Sequence, residues 1–235
     1  MTVATPLSNA RPAPPSGGLG LRVTGLAKAY RHAGRTLFSD LSFDLERSGR
    51  LAILGRNGQG KSTLIKMLGG ALPATRGVID WRMTSSWPIG FAGGFQGSLT
   101  GLDNIRFLAR LYEKDYKETL ARVDDFAELG AALKEPAKHN SSGMRARLAF
   151  GLSLAIEFDC YLVDELVAVG DARFQKKCNE ELFSKRADRA FMIASHNTRL
   201  ITDICDRALL IESGQARIFN DVQEAVDIYA WLKAV

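Results

Sequence analysis

This chain of 235 residues lacks any long run of apolar residues. Its longest apolar segment, residues 148–156, is short and is interrupted by Gly151 and Ser153. A helix that crosses a bilayer needs about 18 or more consecutive apolar residues. The sequence therefore predicts that no segment spans a membrane. The hydrophobic share of 46% is instead ordinary for a globular protein with a buried core.

Cysteine and surplus charge are also scarce. The three cysteines (Cys160, Cys178 and Cys205) are odd in number and have no C-x-x-C or metal-site spacing, which is typical of reduced thiols in a cytosol. The net charge is only +5, and the basic residues are scattered along the chain. Because nucleic-acid-binding proteins usually carry a dense basic patch with aromatic residues, this distribution disfavours nucleic acid as a partner.

The first 20 residues differ from the rest in composition. They hold four of the seven prolines and three glycines, and they have no apolar core like that of a signal peptide. We interpret residues 1–20 as a flexible tail and residues 21–235 as one α/β domain.

Strand and helix patterns alternate within that domain. Strand-like segments at 21–23, 36–38 and 41–45 indicate an antiparallel layer beside a parallel core. Between about 97 and 157 the apolar residues recur with helical spacing, which predicts an inserted helical subdomain that begins at Thr100. Further predicted elements are a strand at 78–81, buried strands at 161–163 and 190–194, a hairpin over 208–219 and a closing helix at 221–232.

The most informative stretch is GRNGQGKS, residues 55–62. It follows an apolar strand, precedes a helix and matches the P-loop pattern G-x-x-x-x-G-K-[ST] in its required context. Glycines let the backbone N–H groups wrap a phosphate, and the helix start adds further donors. Lys61 would reach the β and γ phosphates of ATP, and the Ser62 hydroxyl would hold Mg²⁺. The predicted nucleotide-binding residues here are Gly55, Asn57, Gly58, Gly60, Lys61, Ser62 and Thr63.

Two further segments carry phosphate chemistry. The apolar strand at 161–163 ends in Asp164 and Glu165; in a P-loop ATPase the first carboxylate binds Mg²⁺ and the second polarises the attacking water. Residues 140–144, NSSGM, open a helix-like run. Ser141 is placed there as an N-cap with Gly143 beside it, and such a helix start can bind a second phosphate surface.

With these motifs in this order, residues 21–235 resemble the ATP-binding subunit of an ABC transporter. The resemblance implies the α/β fold of a P-loop ABC nucleotide-binding domain, with an antiparallel β subdomain and an inserted helical subdomain. It also implies ATP hydrolysis with Mg²⁺, a head-to-tail homodimer and a separate integral-membrane permease. Such a subunit lies peripherally on the cytoplasmic face of the bacterial inner membrane.

The resemblance assigns roles to four more residues. Tyr30 matches the aromatic residue that stacks on adenine. Gln96 matches the glutamine that senses Mg²⁺ and links to the membrane subunit. Asp171, after Gly170, matches the loop that crosses the dimer interface, and His196 matches the switch histidine that contacts the γ-phosphate.

Departures from the common family pattern point to a subfamily. The signature has Asn140, Ser142 and Met144 where other members have different residues, and Asp164-Glu165 is followed by LVAVGD. With the string GGFQGSLTG at 93–101, these features resemble exporters of bacterial polysaccharides, closest to those for capsular polysaccharide. We expect lipid-linked cargo selected by the permease, because the carbohydrate-binding domain of O-antigen relatives is not expected here.

Other functions stay open at this point. Exporters of O-antigen, teichoic acid or lipid share the same catalytic motifs, so the sequence discriminates between cargoes weakly. A soluble ABC ATPase of translation or DNA repair usually has two cassettes or a coiled-coil insertion, and a P-loop kinase has no place for residues 141–144 or His196.

Overall fold

The computed structural model describes residues 18–30, 35–89, 95–165 and 172–234, which contain nine strands and seven α-helices. The strands are β1 (Leu19–Tyr30), β2 (Arg35–Glu46), β3 (Arg50–Leu54), β4 (Arg76–Trp81), β5 (Ser85–Ile89), β6 (Cys160–Asp164), β7 (Ala190–Ala194), β8 (Arg207–Glu212) and β9 (Gln215–Phe219). The helices are α1 (Lys61–Leu68), α2 (Gly101–Leu111), α3 (Tyr116–Ala127), α4 (Ser142–Ala155), α5 (Ala172–Asn179), α6 (Thr198–Ile204) and α7 (Val222–Ala234).

A six-stranded sheet in the order β5-β6-β7-β3-β8-β9 forms the centre of the molecule. The strands from β5 to β8 are parallel, and β9 pairs antiparallel with β8 in the predicted hairpin. The buried strands predicted from sequence are confirmed as β6 and β7. The sequence did not predict β5, which contains Pro88; proline lacks an N–H donor and is tolerated in a sheet chiefly at an edge, which is where β5 lies.

The predicted antiparallel layer is confirmed as a three-stranded sheet in the order β2-β1-β4. The two short strands expected at 36–38 and 41–45 are one strand, β2, with Asp40 at a positive φ of 54° in its middle. Strand β1 begins at Leu19, inside the segment that we assigned to the tail. Residues 1–17 lie outside the described residues.

Residues 100–157 are largely helical, as predicted, with short 3₁₀ turns between α3 and α4. The Thr100 hydroxyl accepts a hydrogen bond of 3.0 Å from the Asp103 N–H, so α2 begins with the expected cap. Helices α5 and α6 were not predicted. No helix within the described ranges is both long enough and apolar enough to cross a bilayer.

The two faces of the six-stranded sheet pack against different layers. In β3, Ala52 and Leu54 join the core formed with helices α2–α7, whereas Leu51 and Ile53 join the core formed with α1 and the antiparallel sheet. Both faces are therefore buried, which explains why the central strands are continuous apolar runs. The carboxyl ends of these strands meet at one edge, and the candidate site lies there.

Candidate functional site

The glycine-rich loop lies between β3 and α1, as the P-loop pattern predicts. A Cβ atom at Gly55 would lie 2.4 Å from the carbonyl oxygen of Ile211, so a larger residue does not fit beside β8. Gly60, at a φ of 107°, directly precedes α1. It has no side chain that could accept a hydrogen bond from the first N–H groups of this helix. The first N–H groups of α1 therefore have no side-chain acceptor at the cap position and can bind an anion.

Lys61 folds back over its own loop. Its Nζ atom donates to the carbonyl oxygens of Gly55 at 2.7 Å and of Arg56 at 3.2 Å. The side chain is buried, and this burial lowers the pKa of Lys61, while the charges of Glu165 and Asp164 raise it. A desolvated ammonium next to free helix-start donors is a site for the terminal phosphates of a nucleotide.

The end of β8 and the turn that follows it form hydrogen bonds with the glycine-rich loop. The Arg56 guanidinium forms an ion pair with Glu212, with Nε 3.1 Å from Oε1. The Gln59 amide donates to the same oxygen at 3.3 Å and accepts from the Ser213 N–H at 3.1 Å. No local sequence signal predicts this contact, because its partners are more than 150 residues apart.

Ser62 and Asp164 meet at the carboxyl end of β6. The Ser62 hydroxyl donates a hydrogen bond of 2.8 Å to Oδ1 of Asp164. Burial raises the pKa of Asp164, and the hydrogen bond from Ser62 and the charge of Lys66 oppose that effect. A hydroxyl and one carboxylate beside a phosphate site fit Mg²⁺, which prefers oxygen ligands and completes its shell with phosphates and water.

Glu165 follows directly in an uncommon backbone conformation, with a positive φ of 42°. Its N–H donates to the Ala194 carbonyl at 2.8 Å, which ties the end of β6 to that of β7. Its Oε1 atom lies 2.8 Å from Nε2 of His196, which comes two residues after β7. The structure thus joins a carboxylate and an imidazole from two strand ends.

Of these residues, Gly60, Lys61, Ser62 and Glu165 line one pocket of about 350 Å³. The antiparallel sheet contributes Tyr30 and Leu37 to the lining of this pocket. Tyr30 is 42% exposed, and the Lys28 Nζ atom lies 5.2 Å from the centroid of its ring. The remaining lining residues come from the P-loop, α1 and the end of β6: Asn57, Gly58, Gly60, Lys61, Ser62, Thr63 and Glu165. An aromatic wall and a phosphate-binding floor together suit a nucleotide.

The sequence profile of the ABC transporter family matches residues 38–168. The chain belongs to the ABC transporter family. The resemblance read from the motifs is therefore confirmed.

Two relatives of this ABC chain illustrate the likeness. The capsule polysaccharide export ATP-binding protein CtrD of Neisseria meningitidis serogroup B (strain ATCC BAA-335 / MC58) is 52% identical over 179 residues, which are 75% of this chain and 83% of that protein. The ATP-binding protein BexA of Haemophilus influenzae is 51% identical over 179 residues, 75% of this chain and 82% of its own.

A solved structure confirms the predicted fold class. It is a dimeric ATP-binding cassette in a post-hydrolysis state bound to ADP and Pi, with a TM-score of 0.72 and 16% sequence identity. The match covers 85% of this chain and 98% of that one.

Several residues that the ABC resemblance singled out lie apart from this pocket. Ser141 caps α4, its Oγ accepting from the Met144 N–H at 3.2 Å, and Gly143 lies beside open space. Gln96 exchanges main-chain hydrogen bonds with the Asn104 side chain, and its own side chain is exposed. Asp171 lies outside the described residues.

The ABC chain has a larger, charged cleft of about 560 Å³ elsewhere, between α3, α4 and the segment after α5. Its buried cation, Arg186, already donates to Glu157 at 3.0 Å and to the Tyr161 hydroxyl at 2.9 Å. Since this cation is paired within the chain, the larger cleft is a poorer candidate for phosphate binding than the smaller pocket.

Proposed function

We propose that this chain is the ATP-hydrolysing subunit of an ABC exporter that moves a capsular-type, lipid-linked polysaccharide across the bacterial inner membrane. The observation that carries the proposal is the pocket in which Lys61, Ser62 and Glu165 meet below Tyr30. The cargo is supported by the 52% identity to CtrD, a capsule polysaccharide export ATP-binding protein.

ATP binding uses groups that already surround the pocket. The N–H groups at the start of α1 and the ammonium of Lys61 bind the β and γ phosphates. Because that ammonium now bonds to two backbone carbonyls, phosphate oxygens replace these acceptors without a large side-chain movement. Tyr30 stacks on the adenine ring from the exposed end of the pocket.

Ser62 and Asp164 are the residues that would hold Mg²⁺, and Gln96 is proposed as a further ligand from the entry to the helical subdomain. When bound, Mg²⁺ supplies positive charge to the β and γ phosphates. The hydrogen bond between Ser62 and Asp164 keeps the two oxygen ligands adjacent before the cation arrives. The raised pKa of Asp164 fits a carboxylate that is stabilised in its charged form by a cation.

Hydrolysis requires a water molecule to be held in line with the γ-phosphate. The Glu165 carboxylate lies at the pocket and orients that water. His196 holds the carboxylate through its Nε2 atom. When the site closes, the same Nε2–H is shared between Glu165 and the γ-phosphate. Closure excludes bulk water and strengthens each of these contacts.

A second copy of the chain completes the site. Within one chain, the start of α4, with Ser141 and Gly143, does not line the pocket. In a head-to-tail homodimer, these residues of one copy cover the γ-phosphate bound to the P-loop of the other. Asp171 belongs to the segment that crosses the same interface.

The membrane subunit is a separate chain that docks on α2. Phe107 and Leu111 are one helical turn apart and are 62% and 60% exposed, which is unusual for adjacent large apolar side chains. Arg106, paired with Asp103 at 2.9 Å, borders them. This apolar pair lies on the helix that follows Gln96 in the chain. Through it, nucleotide-driven closure is coupled to the permease at the cytoplasmic face of the membrane.

The cargo is tested in a deletion strain that carries either the parent gene or Lys61→Ala. We expect the deletion to trap polysaccharide inside the cell, the parent gene to restore surface polymer, and Lys61→Ala to fail. The measurement is surface polysaccharide relative to total polysaccharide. Unchanged capsule together with loss of O-antigen, teichoic acid or lipid export would contradict the cargo and leave the ATPase function standing.

A further inference from the structure

The imidazole of His196 is held on both of its nitrogen atoms. On one side Nε2 lies 2.8 Å from Oε1 of Glu165. On the other side Nδ1 lies 2.6 Å from the hydroxyl oxygen of Tyr229, and the two rings are nearly parallel at an interplanar angle of 21°. The family motifs include the histidine and the carboxylate, but none of the motifs read from the sequence extends to Tyr229.

Tyr229 is built into the core. It lies on α7, is only 1% exposed, and packs with Ala225 and Val226 in the core that covers the central sheet. Burial raises the pKa of Tyr229, and the charge of Glu165 raises it further, so the phenol keeps its proton. A neutral phenol near an imidazole nitrogen acts as the donor when that nitrogen carries no proton.

The direction of both hydrogen bonds then follows. If Tyr229 donates to Nδ1, the neutral ring carries its proton on Nε2, which is the atom that faces the carboxylate of Glu165. The Tyr229 hydroxyl thus donates to the ring, and the ring donates to the Glu165 carboxylate. The opposite tautomer would place two acceptors face to face at Glu165.

We propose that Tyr229 is a positioning residue for ATP hydrolysis: its hydroxyl fixes His196 in the tautomer and orientation that present Nε2–H to Glu165. The kinetic consequence of this inference rests on the proposed ATPase function. It makes α7, which carries no phosphate-binding motif, part of the catalytic framework. Lys233, on the same helix, has its Nζ atom 5.3 Å from the centroid of the Tyr229 ring.

The kinetic test is Tyr229→Phe, which keeps the ring in the core and removes only the hydroxyl. We expect kcat for ATP hydrolysis to fall about tenfold, the effect of losing one orienting hydrogen bond, with the Kd for ATP changed less than about twofold. The control is Trp231→Phe, on the exposed face of the same helix, which should match the parent. A parallel loss of ATP binding, or parental kcat, would overturn the proposal.

A double-mutant cycle separates positioning from general stability. Tyr229→Phe should cost about tenfold in the parent background and almost nothing in a His196→Ala background, because the hydroxyl acts only through that ring. Equal losses in both backgrounds would show that Tyr229 acts elsewhere and would contradict the proposal.

A spectroscopic test does not depend on activity. Nitrogen NMR of the isolated protein labelled at histidine should show His196 as the Nε2–H tautomer, and Tyr229→Phe should produce a mixture of tautomers. An Nδ1–H tautomer in the parent, or an unchanged spectrum in the variant, would overturn the inference. If the parent protein hydrolyses no ATP, the proposed function fails, and the spectrum still decides the role of Tyr229.

Discussion

The P-loop pocket and the start of α4 are built in opposite ways. The pocket is held together by contacts between distant parts of the chain: Ser62 with Asp164, Arg56 with Glu212, and Glu165 with His196. The contacts at the start of α4 are local. The Ser141 hydroxyl accepts from the Met144 N–H, and the Arg145 guanidinium donates to the Asn140 carbonyl.

The difference distinguishes the part of the site that one chain forms by itself from the part that it exposes to a second chain. A Cβ atom at Gly143 would meet only the Ser141 Oγ, at 4.0 Å, so the backbone there is open to a partner. At the pocket, in contrast, the Ser62 hydroxyl already contacts the Asp164 carboxylate, and the Lys61 ammonium already bonds to carbonyls of its own loop. We infer that a single chain holds a preformed catalytic half-site and exposes the complementary half on its helical subdomain.

The largest effect is expected inside the preformed half. Glu165→Gln should retain ATP binding and hydrolyse ATP at least ~100-fold more slowly, since it removes the water-orienting carboxylate. It should also accumulate as an ATP-bound dimer, which makes the composite site visible. The measurements are steady-state hydrolysis in the assembled transporter and size-exclusion chromatography with ATP. Glu118→Gln on α3 is the matched control, and a parental rate for Glu165→Gln would show that its assigned role is wrong.

The next effect concerns the exposed helical subdomain. Phe107→Asp should reduce export at least about tenfold and leave ATP binding unchanged, because it places a charge in an apolar docking surface. Arg106→Glu should act in the same direction and more weakly. Val78→Asp, at a position that is also 62% exposed but lies on the antiparallel sheet, is the control.

Crosslinking from α2 to the membrane subunit would check the same surface directly. Contacts found exclusively on the segment 221–235 would contradict the docking assignment.

A smaller effect is expected at the support behind the P-loop. Glu212→Gln should weaken ATP binding about fivefold, because the loop loses a charged partner that is partly screened by solvent. Asp44→Asn breaks a similar ion pair with Arg22, at 2.9 Å on the antiparallel sheet, and serves as the control. Titration with ATP measures the Kd of both variants. Equal Kd values for Glu212→Gln and Asp44→Asn would show that the β8–β9 turn does not organise the loop.

The smallest effect is on stability. The raised pKa of Asp164 means that its charged form is less favourable in the folded chain than in the unfolded chain. Asp164→Asn should therefore raise the Tm of the nucleotide-free protein by about 2 °C at neutral pH. The gain should vanish as the pH falls below the ordinary pKa of a carboxyl, where the parent side chain is neutral in both states. A lower Tm at neutral pH would contradict this account.

Local patterns predicted the fold well wherever periodicity and motif agreed. The strand-loop-helix around Lys61, the capped start of α2 at Thr100 and the hairpin of β8 and β9 were all predicted from short stretches, because their sequence signals are local. Strand β5 was missed because Pro88 argues against a strand until its edge position is known.

The parts of the site that escaped prediction are long-range contacts. The bond between Tyr229 and His196 spans 33 residues, and that between Arg56 and Glu212 spans 156. Neither has a spacing rule, because the packing of α7 against the sheet and the pairing of β8 within it decide which side chains meet. The roles assigned to the site residues, including Gln96, Ser141 and Asp171, stay predictions.

Mixing two variants tests the shared site most directly. Lys61→Ala removes the phosphate-binding lysine of one chain, and Ser141→Arg blocks the exposed surface of the other, so each variant alone should be inactive. In tagged mixed dimers, the intact P-loop of one chain faces the intact α4 start of the other, and hydrolysis should return with one competent nucleotide site per dimer. Mixed dimers that stay inactive, or a Ser141→Arg protein that hydrolyses ATP at the parent rate by itself, would contradict a site divided between two chains.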